Sequence, residues 1–354
     1  MAQAPRALQR GCCHRGAARP ERGERPSMAP KKKPAKEGEE DPFDIFLKKY
    51  TKTQKEYDVP KIAKVQEIIS RTEEEGPVKQ WNFDAEFDTM SFRILWQTLR
   101  QTGFTEIDAI RLWKCNGGDE SVRSVCYYLD GPQEPTVKEW VKDVAFTDNG
   151  VTALGCEFLG RTLGPNGNKF ITKLVLDYNK FGAAGVEKLS LGLSQNSTLK
   201  HLSLNHCGIG PDGGEFIGHI LIFCKSALEI LELKGNDLEN QGVIDVFRGA
   251  RRAKALRHLD VFDNKFSLNN SEAPEVLRAL RDLFTANTNL VSYDLGANRI
   301  SDEGAQDLVK DMRDKGHTHL QSVMVTERCM TGTFAELELQ LSKGKGKKKG
   351  KKKK

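Results

Sequence analysis

Three histidines, His201, His206 and His258, and four acids, Glu232, Asp260, Asp263 and Asp294, stand in the second half of the 354-residue chain. Imidazoles and carboxylates ligate metals, activate nucleophiles and move protons, so their spacing decides whether such chemistry is available. It argues against it. His258 lies 52 residues beyond His206, and no Ser or Cys stands at a paired spacing to serve as a nucleophile. No GxxxxGK[ST] loop is present to cradle a phosphate; the Gly-Lys pairs near the C-terminus sit in low-complexity sequence, and GPNGNK at 164–169 reads as a connecting loop. The eight cysteines form no CxxC pair. That usage fits a reduced, intracellular chain in which the sequons at Asn196 and Asn269 go unused. The expectation is a non-enzymatic protein with no catalytic residue, metal or cofactor.

The same residues are threaded through a repeat. An apolar residue, two others, apolar, one other, apolar, two others and then Asn or Cys recur as Ile171-Leu174-Leu176-Asn179, Leu199-Leu202-Leu204-Cys207, Leu228-Leu231-Leu233-Asn236 and Leu256-Leu259-Val261-Asn264. The starts fall 28, 29 and 28 residues apart. Leu290-Tyr293-Leu295-Asn298 continues after a step of 34, and Leu320-Val323-Val325 after 30, with Arg328 in the Asn slot of a decayed terminal unit. Upstream, Val141-Val144-Phe146-Asn149 and Ile107-Ile110-Leu112-Cys115 fit, and Val78-Trp81-Phe83 reads as an N-terminal cap without the Asn. Self-similarity at this period means a solenoid, and its terminal units should be atypical because their outer faces meet water. Two steps of 34 residues mark insertions, DGPQEP at 130–135 and SLNNSEAP at 267–274, which are candidates for partner contacts.

Each unit continues with a Gly six residues after the Asn slot (Gly185, Gly213, Gly242, Gly304), followed by apolar residues at helical spacing such as Val186-Leu189-Leu193. The unit is therefore a short strand, a turn and an amphipathic helix. Stacked units give an α/β horseshoe with a parallel inner sheet and outer helices. The Asn amide, with two donors and an acceptor, would satisfy backbone groups buried where the strand ends. Cys115 and Cys207 are small enough to fill that slot.

This pattern resembles the leucine-rich repeat family, and the 28-residue strand–helix unit with its Gly resembles the ribonuclease-inhibitor-like subtype. The resemblance covers residues 107–330, nearly two-thirds of the chain. It implies a solenoid fold and a binding rather than catalytic role. The subtype includes inhibitors, innate-immune sensors, a Ran GTPase-activating protein and axonemal or flagellar components.

The net charge of +6 hides an asymmetry. Residues 1–36 carry ten Lys or Arg against two Glu, and KGKGKKKGKKKK at 343–354 carries nine Lys, so the body between them is −11. The expected organisation is a disordered basic arm at 1–40, a helical extension at 41–77, the solenoid at 78–335 and a disordered Lys-rich tail at 336–354. No run of 18 apolar residues is available to span a membrane. The Arg-rich start lacks the apolar core of a secretory signal; it fits a mitochondrial presequence or, preferred here, a segment preceding a start at Met28. PKKKPAK also resembles a nuclear-import signal. Lys347, Lys348, Lys349, Lys351, Lys352, Lys353 and Lys354 would attract polyanions such as acidic lipid, nucleic acid or the acidic tails of tubulin, or would simply solubilise the chain. Without interleaved aromatics, specific nucleic-acid recognition is not expected.

In the extension, Phe43, Phe46, Leu47 and Tyr50 share one helical face bounded by Pro42 and Pro60, and Ile62, Val65, Ile68 and Ile69 share a second. They read either as a cap on the first repeat or as a docking helix for a partner. On the inner sheet face, the position between the second and third apolar residues is Arg111, Ala145, Val175, Ser203, Glu232, Asp260, Asp294 and Met324 along the units. Three successive acids about 5 Å apart form a stripe with Asp263 beside it, which solvent or a cationic partner must relieve. The following positions add Trp113, Asp177, Tyr178 and Phe262; Trp113 is either exposed or packed beneath the N-terminal helix. Large exposed aromatics are typical interface anchors. The functional expectation is a protein-interaction scaffold binding partners through Arg111, Trp113, Asp177, Tyr178, Glu232, Asp260, Phe262, Asp263 and Asp294. Its specific form would be a cytoplasmic ciliary, flagellar or cytoskeletal component, with the nucleus as another location. The alternative is a regulator of a small GTPase, and a third reading, an inhibitor of basic enzymes, draws on the acidic stripe.

Overall fold

The structure, a computed structural model, describes residues 40–131, 140–325 and 329–349. The basic start with Met28, most of the insertion at 130–135, Arg328 and Lys351 to Lys354 lie outside the described residues.

Nine parallel strands form one open sheet in sequence order. They are β1 (Gln80–Phe83), β2 (Ala109–Trp113), β3 (Asp143–Thr147), β4 (Lys173–Val175), β5 (His201–Ser203), β6 (Ile230–Glu232), β7 (His258–Asp260), β8 (Ser292–Asp294) and β9 (Ser322–Met324). A helix follows each strand: α3 (Thr89–Gln101), α4 (Gly118–Leu129), α5 (Ala153–Thr162), α6 (Gly182–Leu193), α7 (Gly210–Ile222), α8 (Glu239–Ala250), α9 (Pro274–Ala286), α10 (Asp302–Lys315) and α11 (Thr331–Lys349). The core runs between the sheet and the helix layer, and every repeat leucine from Leu174 to Leu259 is buried.

The Asn slot works as a ladder between units. Asn179 Nδ2 donates to Phe146 O at 2.6 Å and Leu176 O at 2.8 Å, while its Oδ1 accepts from Asn149 N at 3.0 Å and Val151 N at 3.1 Å. Cys207 reproduces only the donor half, through Sγ to Leu176 O at 3.3 Å. A second ladder was not read from the sequence. Asn168, Asn196 and Asn287, each three residues before a unit's first apolar residue, donate to Leu129 O, Leu163 O and Ala250 O. Asn196, one of the two sequon residues, is therefore buried with its amide engaged. The repeated Gly also has a steric reason: a Cβ on Gly213 would lie 2.2 Å from Ile209, whose side chain fills the turn before the helix.

Residues 42–75 form α1 (Pro42–Glu56) and α2 (Ala63–Glu75). Phe46 and Tyr50 of α1 are fully buried, and Phe46 meets Trp81 and Phe104 at ring distances of 6.2 and 5.8 Å. The apolar faces are thus spent on the first unit, as a cap requires. At the other end the solenoid was expected to stop at residue 335, with the tail beginning at 336. That boundary falls inside α11, because Leu337 and Leu341 are buried against the last unit. Leu337 and Leu341 hold the helix there, and its backbone continues through Lys349.

Candidate functional site on the concave face

The strand register places Arg111, Ala145, Val175, Ser203, Glu232, Asp260, Asp294 and Met324 in one column across β2 to β9. Strand alternation brings a second column to the same face, which includes Asp143, Lys173, His201, Ile230 and His258. His201 and His258 read from the sequence as sharing this face; Asp143, Lys173 and Ile230 were missed, although the period of two reaches them.

This second column changes the electrostatics. Arg111 reaches diagonally to Asp143, with Nε 3.0 Å from Oδ2, and donates from Nη1 to Gln80 Oε1 at 3.4 Å. His201 Nε2 lies 3.2 Å from Glu232 Oε2, and this neighbour holds the Glu232 carboxyl down at about 2. Lys234 Nζ lies 3.0 Å from Asp260 Oδ2. Asp260 is raised, because burial penalises its charge and the Asp294 carboxylate adds to that. Relief of the stripe thus comes partly from the chain's own Lys234, where only solvent or a cationic partner had been expected. Among the described residues Asp294 and Asp263 carry no salt bridge; Asp294 Oδ1 accepts from Gly296 N at 3.0 Å.

Asp177 has a different job. Its Oδ1 accepts from Ser203 Oγ at 2.6 Å and Asn205 N at 2.9 Å, and its Oδ2 from Asn205 Nδ2 at 3.2 Å, so it ties two units together. The residue after each strand's turn position adopts left-handed backbone: Lys114, Asp148, Tyr178, His206, Asp263 and Ala297 have φ between +52° and +63°. Such φ is uncommon outside Gly. Here it projects a line of side chains along the rim.

On that rim Tyr178 stacks on His206 with ring centroids 4.7 Å apart, and His206 lies where a side chain on Gly235 would be, 2.2 Å from an added Cβ. Phe262 covers Gly296 in the same manner, at 2.9 Å, and Lys234 Nζ stands 5.8 Å from its ring centre. Trp113 is 55% exposed with Lys114 Nζ 5.2 Å from its ring, so it does not pack beneath the N-terminal helix. Tyr178 and Met324 are 53% and 58% exposed. The arrangement offers aromatics beside two acids, Asp263 and Asp294, without a salt bridge among the described residues. Among the described residues no three His, Cys, Asp or Glu converge as a metal site.

The insertion at 267–274 is built into the scaffold. Phe266 and Leu268 are buried, and Asn269 Oδ1 accepts from Ser301 Oγ at 2.6 Å and Ser301 N at 3.1 Å. No described helix is long and apolar enough to cross a membrane.

Comparison with known proteins points to one architecture. The family described as Leucine Rich repeat matches residues 167–190, 195–218 and 286–309. The chain is 31% identical over 199 residues to human NACHT, LRR and PYD domains-containing protein 14, covering 55% of this chain and 17% of that protein. It is 29% identical over 165 residues to pig ribonuclease inhibitor, covering 46% of this chain and 34% of the inhibitor, and 26% identical over 166 residues to the mouse inhibitor. The chain thus spans about a third or less of the length of these relatives.

Proposed function

We infer, for a chain that is a leucine-rich repeat protein of the ribonuclease-inhibitor-like subtype, that it acts as a non-enzymatic scaffold engaging a protein partner on its concave face. The observation that carries this reading is the cluster of Phe262, Asp263, Asp294 and Met324, where a half-exposed aromatic and a methionine flank two acids without salt bridges among the described residues. A sheet of nine strands holds them rigidly, so little ordering entropy opposes binding. A partner presenting Lys or Arg beside an apolar side chain complements them. Trp113 and Tyr178 mark a second contact on the N-terminal half, with Arg111, Glu232 and Asp260 already engaged internally.

The finer form is a cytoskeletal or axonemal component whose Lys-rich C-terminus meets acidic tubulin tails. Its support is the charge of residues 343–354 and the resemblance described above. Co-sedimentation with purified microtubules tests it: retention that disappears on deleting 343–354 supports it, and the chain staying in the supernatant ends it. The small-GTPase regulator rests on resemblance alone, and single-turnover GTP hydrolysis without stimulation removes it. For the scaffold itself, proximity labelling should lose a discrete set of neighbours in the double variant Phe262→Ala, Asp294→Lys. An unchanged set sinks the concave-face reading.

A further inference from the structure

On the helix layer, where α7, α8 and α9 end, the chain reads RGARRAKALR at 248–257, with five Lys or Arg and no acid, inside a body of net charge −11. Two grooves of about 570 and 540 Å³ meet there, and both are lined by Ile222, Arg251, Arg252 and Ala286. The space arises from the close packing of α7 on α8: a Cβ on Gly249 would lie 2.7 Å from Gly218 Cα, so no side chain fills it. Ile222, 42% exposed, and the exposed Ala286 supply its apolar part. The acids at the α7–α8 end, Glu215 and Asp245, are met by His219 at 3.8 Å and Arg248 at 3.1 Å. Arg251 leans to Asp282 at 3.7 Å. Arg252 and Lys254, towards α9, have no ion pair or side-chain hydrogen bond among the described residues. Cations are common at helix C-termini because they cap the last carbonyls. Here those carbonyls are taken: Asn287 Nδ2 donates to Ala250 O at 2.7 Å and Ala253 O at 2.9 Å, and Asn289 Nδ2 to Lys254 O at 2.9 Å. Two cations thus stand beside an apolar hollow with no structural task.

We propose that this groove binds an acidic segment of a partner protein, seating an aliphatic side chain against Ile222 and Ala286 and carboxylates on Arg252 and Lys254. The guanidinium takes a carboxylate as a bidentate pair and the ammonium takes one as a point charge. Charge selects the partner and steers its approach, while the aliphatic anchor adds affinity. Peptide is favoured over nucleic acid, because no Phe, Tyr or Trp lines either groove to stack a base. The chain's own ends are the wrong occupant, since residues 1–36 and 343–354 are both strongly basic. The site lies on the helix layer, away from the concave sheet face, and does not rest on the reading proposed for that face.

The test uses the full chain and fluorescence anisotropy with a labelled peptide of two Leu flanked on each side by four Glu. A peptide of equal charge with Ser in place of Leu measures attraction to basic sequence elsewhere, residues 343–354 included. The Leu peptide should bind about tenfold more tightly, the order expected for burying an aliphatic side chain. Arg252 and Lys254 are exposed, so the double variant Arg252→Glu, Lys254→Glu should keep the parent's melting temperature and lose the preference for Leu, both peptides then meeting only the remaining basic sequence. Should that melting temperature fall, Arg252→Gln, Lys254→Gln decides. Ile222→Ser should also abolish the preference, and Phe262→Ala on the concave face should keep it. The proposal is overturned if the parent chain binds the two peptides equally or if the charge variants retain the preference. It is equally overturned if a uridine decamer binds the parent more tightly than the Leu peptide and loses that advantage in the charge variants, or if sedimentation shows a dimer of the chain alone that the charge variants dissolve.

Discussion

At the residue scale the slot closing each strand sets the terms. Asn236 Nδ2 donates to Leu204 O at 2.7 Å while its Oδ1 accepts from Cys207 N at 2.8 Å. Asn236→Ala leaves these backbone groups buried without partners and should cost about 2–4 kcal/mol, read by urea denaturation. Cys207 faces the Asn179 amide with a weakly accepting sulfur. Cys207→Asn should therefore stabilise the fold by about 1 kcal/mol, and a loss would mean that the slot is too tight for the larger amide. On the concave face Glu232 is held at about 2 by His201, below its ordinary 4.5. A lowered carboxyl contributes stability that is complete above about pH 4.5 and is lost as pH falls towards 2. With a third of the side chain exposed, screening reduces this to the order of 1 kcal/mol. The difference in stability between the parent and Glu232→Gln should shrink across that window; a constant difference would mean that His201 is not the cause. The column of acids was legible in sequence because register follows from the apolar period. Their partners were not, since His201 reaches Glu232 diagonally from the neighbouring strand, and the bonds of Asp177 to Ser203 and Asn205 cross between units at a spacing no local pattern announces.

At the element scale the helix layer alternates between close and looser contacts. Between α5 and α6 a Cβ on Gly192 would lie 1.8 Å from Gly160 O, and between α7 and α8 a Cβ on Gly214 would lie 2.3 Å from Gly242 O. Backbone cannot yield as a flexible side chain does. Gly192→Ala should therefore cost about 1–3 kcal/mol although Ala is the better helix former, and a neutral result in thermal unfolding would show that the two helices can part. The N-terminal cap makes a matching claim. Phe46 stacks on Tyr50 at 5.4 Å and touches Trp81 and Phe104. Phe46→Ala should cost about 3–5 kcal/mol and increase the accessibility of Trp81 to a fluorescence quencher. Sequence gave both readings of this helix, cap and docking face; only the aromatic contacts across some sixty residues of chain separate them. The terminal helix was less legible, because the Lys run opposes a fold while Leu337 and Leu341, which anchor the helix, precede it by only a few residues.

At the scale of the whole molecule a solenoid is nearly one-dimensional, so its stability is distributed unit by unit and its weakest end can open alone. That end is the C-terminal one. Among the described residues its last strand pairs on one side only, its helix leaves Phe334 and Leu339 half exposed, and no aromatic cluster like that around Phe46 closes it. It also contains His319, held down at about 4 by burial and by the adjacent His317. A depressed histidine contributes stability that is present above about pH 6.5 and is lost as pH falls through about 4, because the unfolded chain takes the proton first. Hydrogen exchange at pH 7 should show the lowest protection in β9 and the start of α11, and the highest in β4 to β7. Between pH 6.5 and 4, protection normalised for intrinsic exchange should fall further in that last unit while the central units hold. His319→Gln should remove the acid sensitivity without altering the ranking at pH 7. Uniform protection along the chain would mean that the horseshoe unfolds as one cooperative body and that its open end is as secure as its capped one.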